Sequence, residues 1–583
     1  MAVAFRGAVA AIVFAACATG TGIQPGTTVD TVPAEPSTTV TTTASTPYGG
    51  TVVVGVGTGG SPRSLNPLLD GPDTAMLDLI APAVFAIGYR VDPATFELVP
   101  HVLEAIPSIE NGGVVDNGDG TIDVAVTVAP EARWAGGPPI TAADLEFTWR
   151  LIVDPALPIR PELVRRYSNI DPDSVVADGR TLSFTMTATP EYELLFDLIV
   201  PRHSVEGSDF TGDWNDTLWA AGGPFEFGAW QPGQYLEVVR NEEYWNVGSR
   251  GEPLPYLDRL IFRFYETGDP PDPRLVEAFG TGDVDVVVFD EATESAVFRA
   301  DESAVVEIAP GLFWDHLNFQ FGPGNRNPES LNRHVEFRRA IAHAIDRSRL
   351  ALEVGGTPLT SAMRPYDRSF TESPWADYEY DLEAVKGLLF TLENEIGRDL
   401  FAGDGPRVVL TVASDGERSI ALGGALVTML RTAGFDAELQ LEDSALFFGS
   451  TVDNGTWDLA TWRFAGGPGL GAGIEFVQMF DPDGLPFVGA NYYRWGTIDS
   501  TVSGDAVEAY RDTLFRLRGT IDPEEVVALL VEAESLLAEQ VVLIPLLSSG
   551  ESGMARREGL SGPTVNPVQG VIWNVDEWQL GDS

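Results

Sequence analysis

Few spacings in this 583-residue chain could support chemistry, and their neighbours decide most of them. Gly55-Val-Gly57-Thr-Gly-Gly60 has the G-x-G-x-x-G spacing with which glycines bring a backbone close to a pyrophosphate seated on a helix N-terminus. Ser61-Pro62-Arg63 and Asn66-Pro67 follow where that helix would have to open, so a dinucleotide site is set aside. Asp116-Asn-Gly-Asp-Gly-Thr121 resembles a calcium loop in outline. With Gly120 at the loop glycine, however, Val115 and Val126 fall on ligand positions that need carboxylates, and the segment reads as a hairpin turn. His101, His203, His316, His334 and His343 include no pair at metal-ligand spacing and read as structural or surface residues. No G-x-S-x-G elbow occurs, and among 86 acidic residues no two carboxylates stand out as an acid and base pair. Nothing here argues for an enzyme, a metal or a cofactor.

Charge and cysteine usage narrow the classes further. The 36 basic against 86 acidic residues give a formal charge of −50, which repels nucleic acid and describes a solvated, soluble surface. The single cysteine, Cys17, rules out an intramolecular disulfide. It follows Arg6, an apolar run from Gly7 to Ala16, and the small residues Ala15 and Ala16, which is the layout of a signal peptide over residues 1–17 with a lipobox-like end. Cleavage before Cys17 and lipidation of its sulfur would anchor the chain to the outer face of the cytoplasmic membrane; an ordinary secretory signal with a coincidental cysteine is the alternative. Residues 18–47 are rich in Thr and Pro, cannot bury enough surface to fold, and read as a disordered tether. No later stretch approaches the roughly 20 apolar residues of a membrane span.

The elements that would position a site alternate along the rest of the chain. Thr141-Ala-Ala-Asp144 has capping-box form and predicts a helix carrying Leu145, Trp149 and Ile152 on one face. Phe337, Ile341, Ala344 and Ile345 recur at helical spacing beside Arg338 and Arg339. Thr51–Val54, Thr181–Met186, Leu260–Phe264, Val284–Val288 and Arg407–Thr411 read as strands. Strands and helices interleaved in this way predict α/β lobes.

Five blocks, in order, resemble one family. Trp134-Ala-Gly-Gly-Pro-Pro-Ile-Thr-Ala-Ala-Asp-Leu-Glu-Phe-Thr148 is similar to the W-(S/A)-D-G-x-P-(V/I)-T-A-x-D-(V/L)-x-F signature of the extracellular solute-binding proteins, family 5, of peptide and nickel ABC importers. Gly222–Trp230 with Arg240-Asn241 and Tyr244-Trp245 resembles the next block. Pro255–Phe264, Gly282–Asp285 and Phe337–Arg347 follow. Most of these residues read as scaffold: Trp134, Trp230 and Trp245 are expected in cores. The resemblance implies a type II periplasmic-binding-protein-like fold, with two hinged α/β lobes and an extra domain inserted in the first. Lobe I is expected at 48–86, 205–306 and 552–583, the insertion at 87–204, and lobe II at 307–551.

The resemblance also points to ligand residues. Peptide-binding relatives end a second-lobe strand in a Trp followed three residues later by an Asp that pairs with the peptide's amino terminus. Here Trp462 matches, but the acidic position falls on Ala465. A buried ammonium without a carboxylate is costly, so a free-amine peptide needs another anion, for which Asp443 is the substitute considered. Arg463 could grip a ligand carboxylate or phosphate, or instead join a salt bridge. Trp314, Trp462 and Phe464 are expected as apolar walls, and Asp73 as a first-lobe contact. The expected function is capture of an oligopeptide or similar small solute by a monomer and its delivery to an ABC permease in the membrane. A lipid-anchored hydrolase and a sensory receptor are the alternatives.

Overall fold

The computed structural model describes residues 48–581 apart from 58–60, 72–73, 266–270, 290–291, 311–312, 364–371, 402, 415, 466–468, 485–490 and 549–550. A seven-stranded sheet takes its strands in the order Phe225–Gln231, Tyr235–Arg240, Arg259–Phe264, Thr51–Val56, Val286–Phe289, Glu551–Arg557 and Ala304–Pro310. Alternation builds it: Leu260, Phe262 and Phe264 point into the core while Arg259, Ile261 and Arg263 do not. The sheet runs on to Pro310, beyond the expected first-lobe boundary at 306.

Between the Thr51 and Phe225 strands lies a smaller four-stranded sheet, ordered Val114–Asp116, Thr121–Thr127, Thr181–Thr187, Val176–Asp178. Its first two strands pair antiparallel around the Asp116–Thr121 turn, where Asp116 Oδ1 accepts from the Gly118 amide at 2.8 Å and Gly118 and Gly120 take φ of 73° and 89°. The predicted helix spans Ala142–Ile152, with the Thr141 amide donating to Asp144 Oδ2 at 2.9 Å and Leu145, Trp149 and Ile152 buried. Trp134 is fully buried; Trp230 and Trp245 are partly buried against the same core.

The second large sheet is ordered Thr357–Pro358, Leu543–Ser548, Phe313–Phe319, Leu459–Ala465, Arg407–Ala413, Asp436–Glu442. Helices Val335–His343, Glu417–Thr432 and Pro523–Glu539 pack with it into a second, separate core. Phe337, Ile341, Ala344 and Ile345 are all buried there, Ala344 capping the helix. Arg338 beside them is buried too; Nε donates to the Gln540 and Val541 carbonyls and Nη1 to Asn332, and burial pushes its guanidinium down to about 9.

Two connections join the sheets. The chain leaves the first sheet at Pro310 and enters the second at Phe313; it leaves the second at Ser548 and re-enters the first at Glu551. The Thr51, Arg259 and Val286 strands are mutually parallel, as are the Arg407, Asp436 and Leu459 strands. Both connections depart from the edges where these parallel strands have their carboxyl ends, so those two edges face each other across the crossings.

Candidate functional site

Open α/β sheets take ligands outside the carboxyl ends of their strands, which directs attention to the ends of the second sheet at the crossings. The Phe313–Phe319 and Leu459–Ala465 strands pair antiparallel there, with Trp314 opposite Phe464, Asp315 opposite Arg463 and His316 opposite Trp462. Because side chains alternate, one face receives Trp314, His316, Trp462 and Phe464 and the other receives Asp315 and Arg463.

The first face is a continuous aromatic layer. His316 stacks on Phe464 at 4.2 Å with 18° between planes, and Trp314 meets Phe464 and Phe476 at 5.8 and 5.4 Å. Trp462 lies nearly parallel to Tyr493 at 5.9 Å and edge-on to Phe447 at 6.2 Å. Trp462 and Phe464 keep part of their surface exposed, whereas Trp314, the third expected wall residue, has none and supports Phe464 from within the core. His316 is also fully buried, and burial pushes its imidazole down to about 3, so it is neutral at physiological pH.

On the opposite face Asp315 is bracketed by two guanidiniums, Arg418 Nη2 at 2.8 Å and Arg463 Nε at 3.5 Å. Arg463 thus joins an ion pair with Asp315, one of the two roles weighed for it. Asp443 stands exposed beyond the Asp436–Glu442 strand, and its Oδ1 accepts from the amides of Ala445 and Leu446 at 3.0 and 3.3 Å. That is a helix cap, and an exposed one, not the buried carboxylate that would neutralise an enclosed ammonium. Asp73 and Cys17 lie outside the described residues. Local spacing does not reveal His316, Tyr493 or the Asp315–Arg418 pair: His316 and Asp315 are placed by strand register, whereas Tyr493 comes from a turn and Arg418 from the Glu417–Thr432 helix, each far away in sequence. Among the described residues no group of three or more His, Cys, Asp or Glu is placed to hold a metal ion, and no helix is long and apolar enough to cross a membrane.

Comparison with known proteins agrees with this geometry. The model of the bacterial extracellular solute-binding proteins, family 5, middle region, matches residues 119–480. The periplasmic alpha-galactoside-binding protein of Rhizobium meliloti is 29% identical over 306 residues, covering 44% of this chain and 42% of that protein. The chain spans about half the length of the first curated relatives it matches. Among solved structures, the ABC transporter substrate-binding protein CtaP of Listeria monocytogenes superposes with a TM-score of 0.72 at 18% identity, covering 92% of this chain and all of that one. The oligopeptide-binding protein AppA of Bacillus subtilis, solved with a nonapeptide, does so with a TM-score of 0.63 at 17% identity, covering 92% and 99%. With this fold matched over nine-tenths of its length and the family model over more than half, the chain belongs to the bacterial extracellular solute-binding proteins, family 5.

Proposed function

We propose that this protein captures an oligopeptide or similar small solute outside the cytoplasm, between two lobes that close on it, and delivers it to an ABC importer without altering it. The observation that carries the reading is the partly exposed aromatic layer of Trp462 and Phe464 at the carboxyl edge of the second sheet, beside the two crossings about which the sheets would hinge. Such a wall contributes apolar contact area to a solute, as binding pockets require. Anchoring through Cys17 and a tether over 18–47 complete the proposal, holding the body at the membrane face while leaving it free to reach a permease.

A carbohydrate is the second reading. It is favoured by the indole of Trp462, whose flat face suits a pyranose ring, and by the absence of an acidic side chain at Ala465; the Rhizobium meliloti relative is named for binding an alpha-galactoside. Mass spectrometry of small molecules released when the purified protein is gently denatured tests both. Peptides would support the first reading and oligosaccharides the second. Recovery of added candidate solutes in cleaved form would overturn binding without chemistry.

A further inference from the structure

The inserted subdomain meets the Gly469–Gln478 helix of the second lobe, and charged groups take part in the contact. Arg165, in the Pro161–Tyr167 helix of the insertion, donates through Nη1 to Glu191 at 2.8 Å and through Nη2 to Glu475 of the second lobe at 2.5 Å. Arg166 lies 3.6 Å from the same Glu475 and also donates to the Leu194 carbonyl at 3.3 Å. Glu191 is buried, so it fixes Arg165 on the insertion side while the guanidinium's other arm faces the neighbouring lobe. The packing is close here as well: a Cβ on Gly471 would stand 2.7 Å from Leu194 Cδ1, so the Leu194 side chain of the insertion packs into the space that position 471 leaves open on the Gly469–Gln478 helix.

That helix is joined to the candidate ligand wall. It directly follows the Leu459–Ala465 strand, and Phe476, next in sequence to Glu475, packs on Trp314 and Phe464. Whatever settles the wall therefore settles the position of Glu475. The bulk charge gives the contact a purpose. Closing two lobes of a body with a formal charge of −50 brings acidic surfaces together, and two guanidiniums sharing one carboxylate at the seam oppose that repulsion.

We propose that Arg165, Arg166 and Glu475 form a latch by which the inserted subdomain holds the cleft closed, making the insertion a regulator of solute release. The proposal rests on the reading of two lobes that open and close, and its test keeps the two separable. Glu475 is a partly exposed side chain, so Glu475→Gln removes the charge with little risk to folding. Spin labels at Val115→Cys in the insertion and Phe515→Cys in the second lobe, both exposed, report the separation once Cys17→Ser leaves them as the only thiols.

Pulsed electron resonance on the ligand-free protein is expected to show a short and a long distance. Glu475→Gln should lower the short-to-long ratio about two- to fivefold at low salt, the range of a half-exposed ion pair. That gap should shrink toward zero in about 1 M NaCl, where the latch is screened in the parent as well. Two populations whose ratio ignores Glu475→Gln would overturn the latch while leaving the hinge intact. A single distance under every condition would overturn both.

Discussion

His316 illustrates how a single buried side chain couples the site to pH. Burial among Trp314, Trp462 and Phe464 holds its imidazole down to about 3, and His101 in the insertion is held to about 3 by burial and by the Arg90 charge. Histidines in the unfolded chain titrate near about 6.5. Below that pH the unfolded state takes up protons that the folded state refuses, so stability is intact above about 6.5 and falls as pH drops toward about 3. Each histidine removes up to about 1.4 kcal/mol per pH unit, or about 2 kcal/mol by pH 5. His316→Phe keeps a ring in the stack and should abolish its share of that loss; denaturant midpoints at pH 7 and pH 5 that move equally in parent and variant would disprove it. Trp462→Ala should weaken binding of the solute identified by mass spectrometry by about 1–3 kcal/mol, as truncation of a contact aromatic does, and an unchanged titration would remove Trp462 from the site. The resemblance marked the position of Trp462 as a candidate wall. His316 was not legible, because it meets Trp462 only through the pairing of strands far apart in sequence.

Elements whose signals are local were read directly: the Thr141–Asp144 capping box and the Asp116–Thr121 turn each complete their interactions within a few residues. What local pattern could not show is how the elements are fastened to each other. Asp458, at the entrance to the Leu459–Ala465 strand, is buried and accepts hydrogen bonds from several segments. Oδ1 takes the side-chain amides of Asn325 and Asn332, both at 3.1 Å; Oδ2 takes that of Asn327 and the Val409 amide, both at 3.0 Å. The carboxylate thus pins the 325–332 loop and the Arg407–Ala413 strand to the strand that bears Trp462. Burial raises its pKa while these donors lower it, the burial effect being the larger. Since every neighbour is a donor, Asp458→Asn would turn an amide NH2 toward two of them. It should cost about 1–3 kcal/mol in unfolding free energy, measured by urea titration. A loss below about 0.5 kcal/mol would mean that water replaces the lost acceptor and that the pin is dispensable.

Over the whole molecule, two kinds of charge respond oppositely to salt. Most ion pairs among the described residues involve an exposed or partly exposed side chain, such as the exposed Arg349–Glu353 and Arg202–Glu206, and each of these contributes little. The formal charge of −50 is a larger and diffuse cost, and it is screened over about 10 Å at 0.1 M ionic strength. Melting temperature should therefore rise with added KCl. Asp576 is the counter-example, because its carboxylate is wholly buried where the C-terminal segment meets the insertion. It lies 2.7 Å from Arg90 and accepts from Tyr244 Oη at 3.1 Å. Burial would raise its pKa, but the Arg90 guanidinium more than reverses this and holds the carboxyl below its ordinary value. Asp576→Ala would strand Arg90 without its carboxylate and should cost about 3–5 kcal/mol. Salt reaches a buried pair poorly, so the deficit should persist at high KCl even as parent and variant both gain stability from screening. Thermal unfolding of the two proteins across a KCl series separates the contributions. Parallel rising curves would place the fold's cohesion in buried contacts such as this one, whereas a parent that melts earlier as KCl rises would place it in the surface pairs.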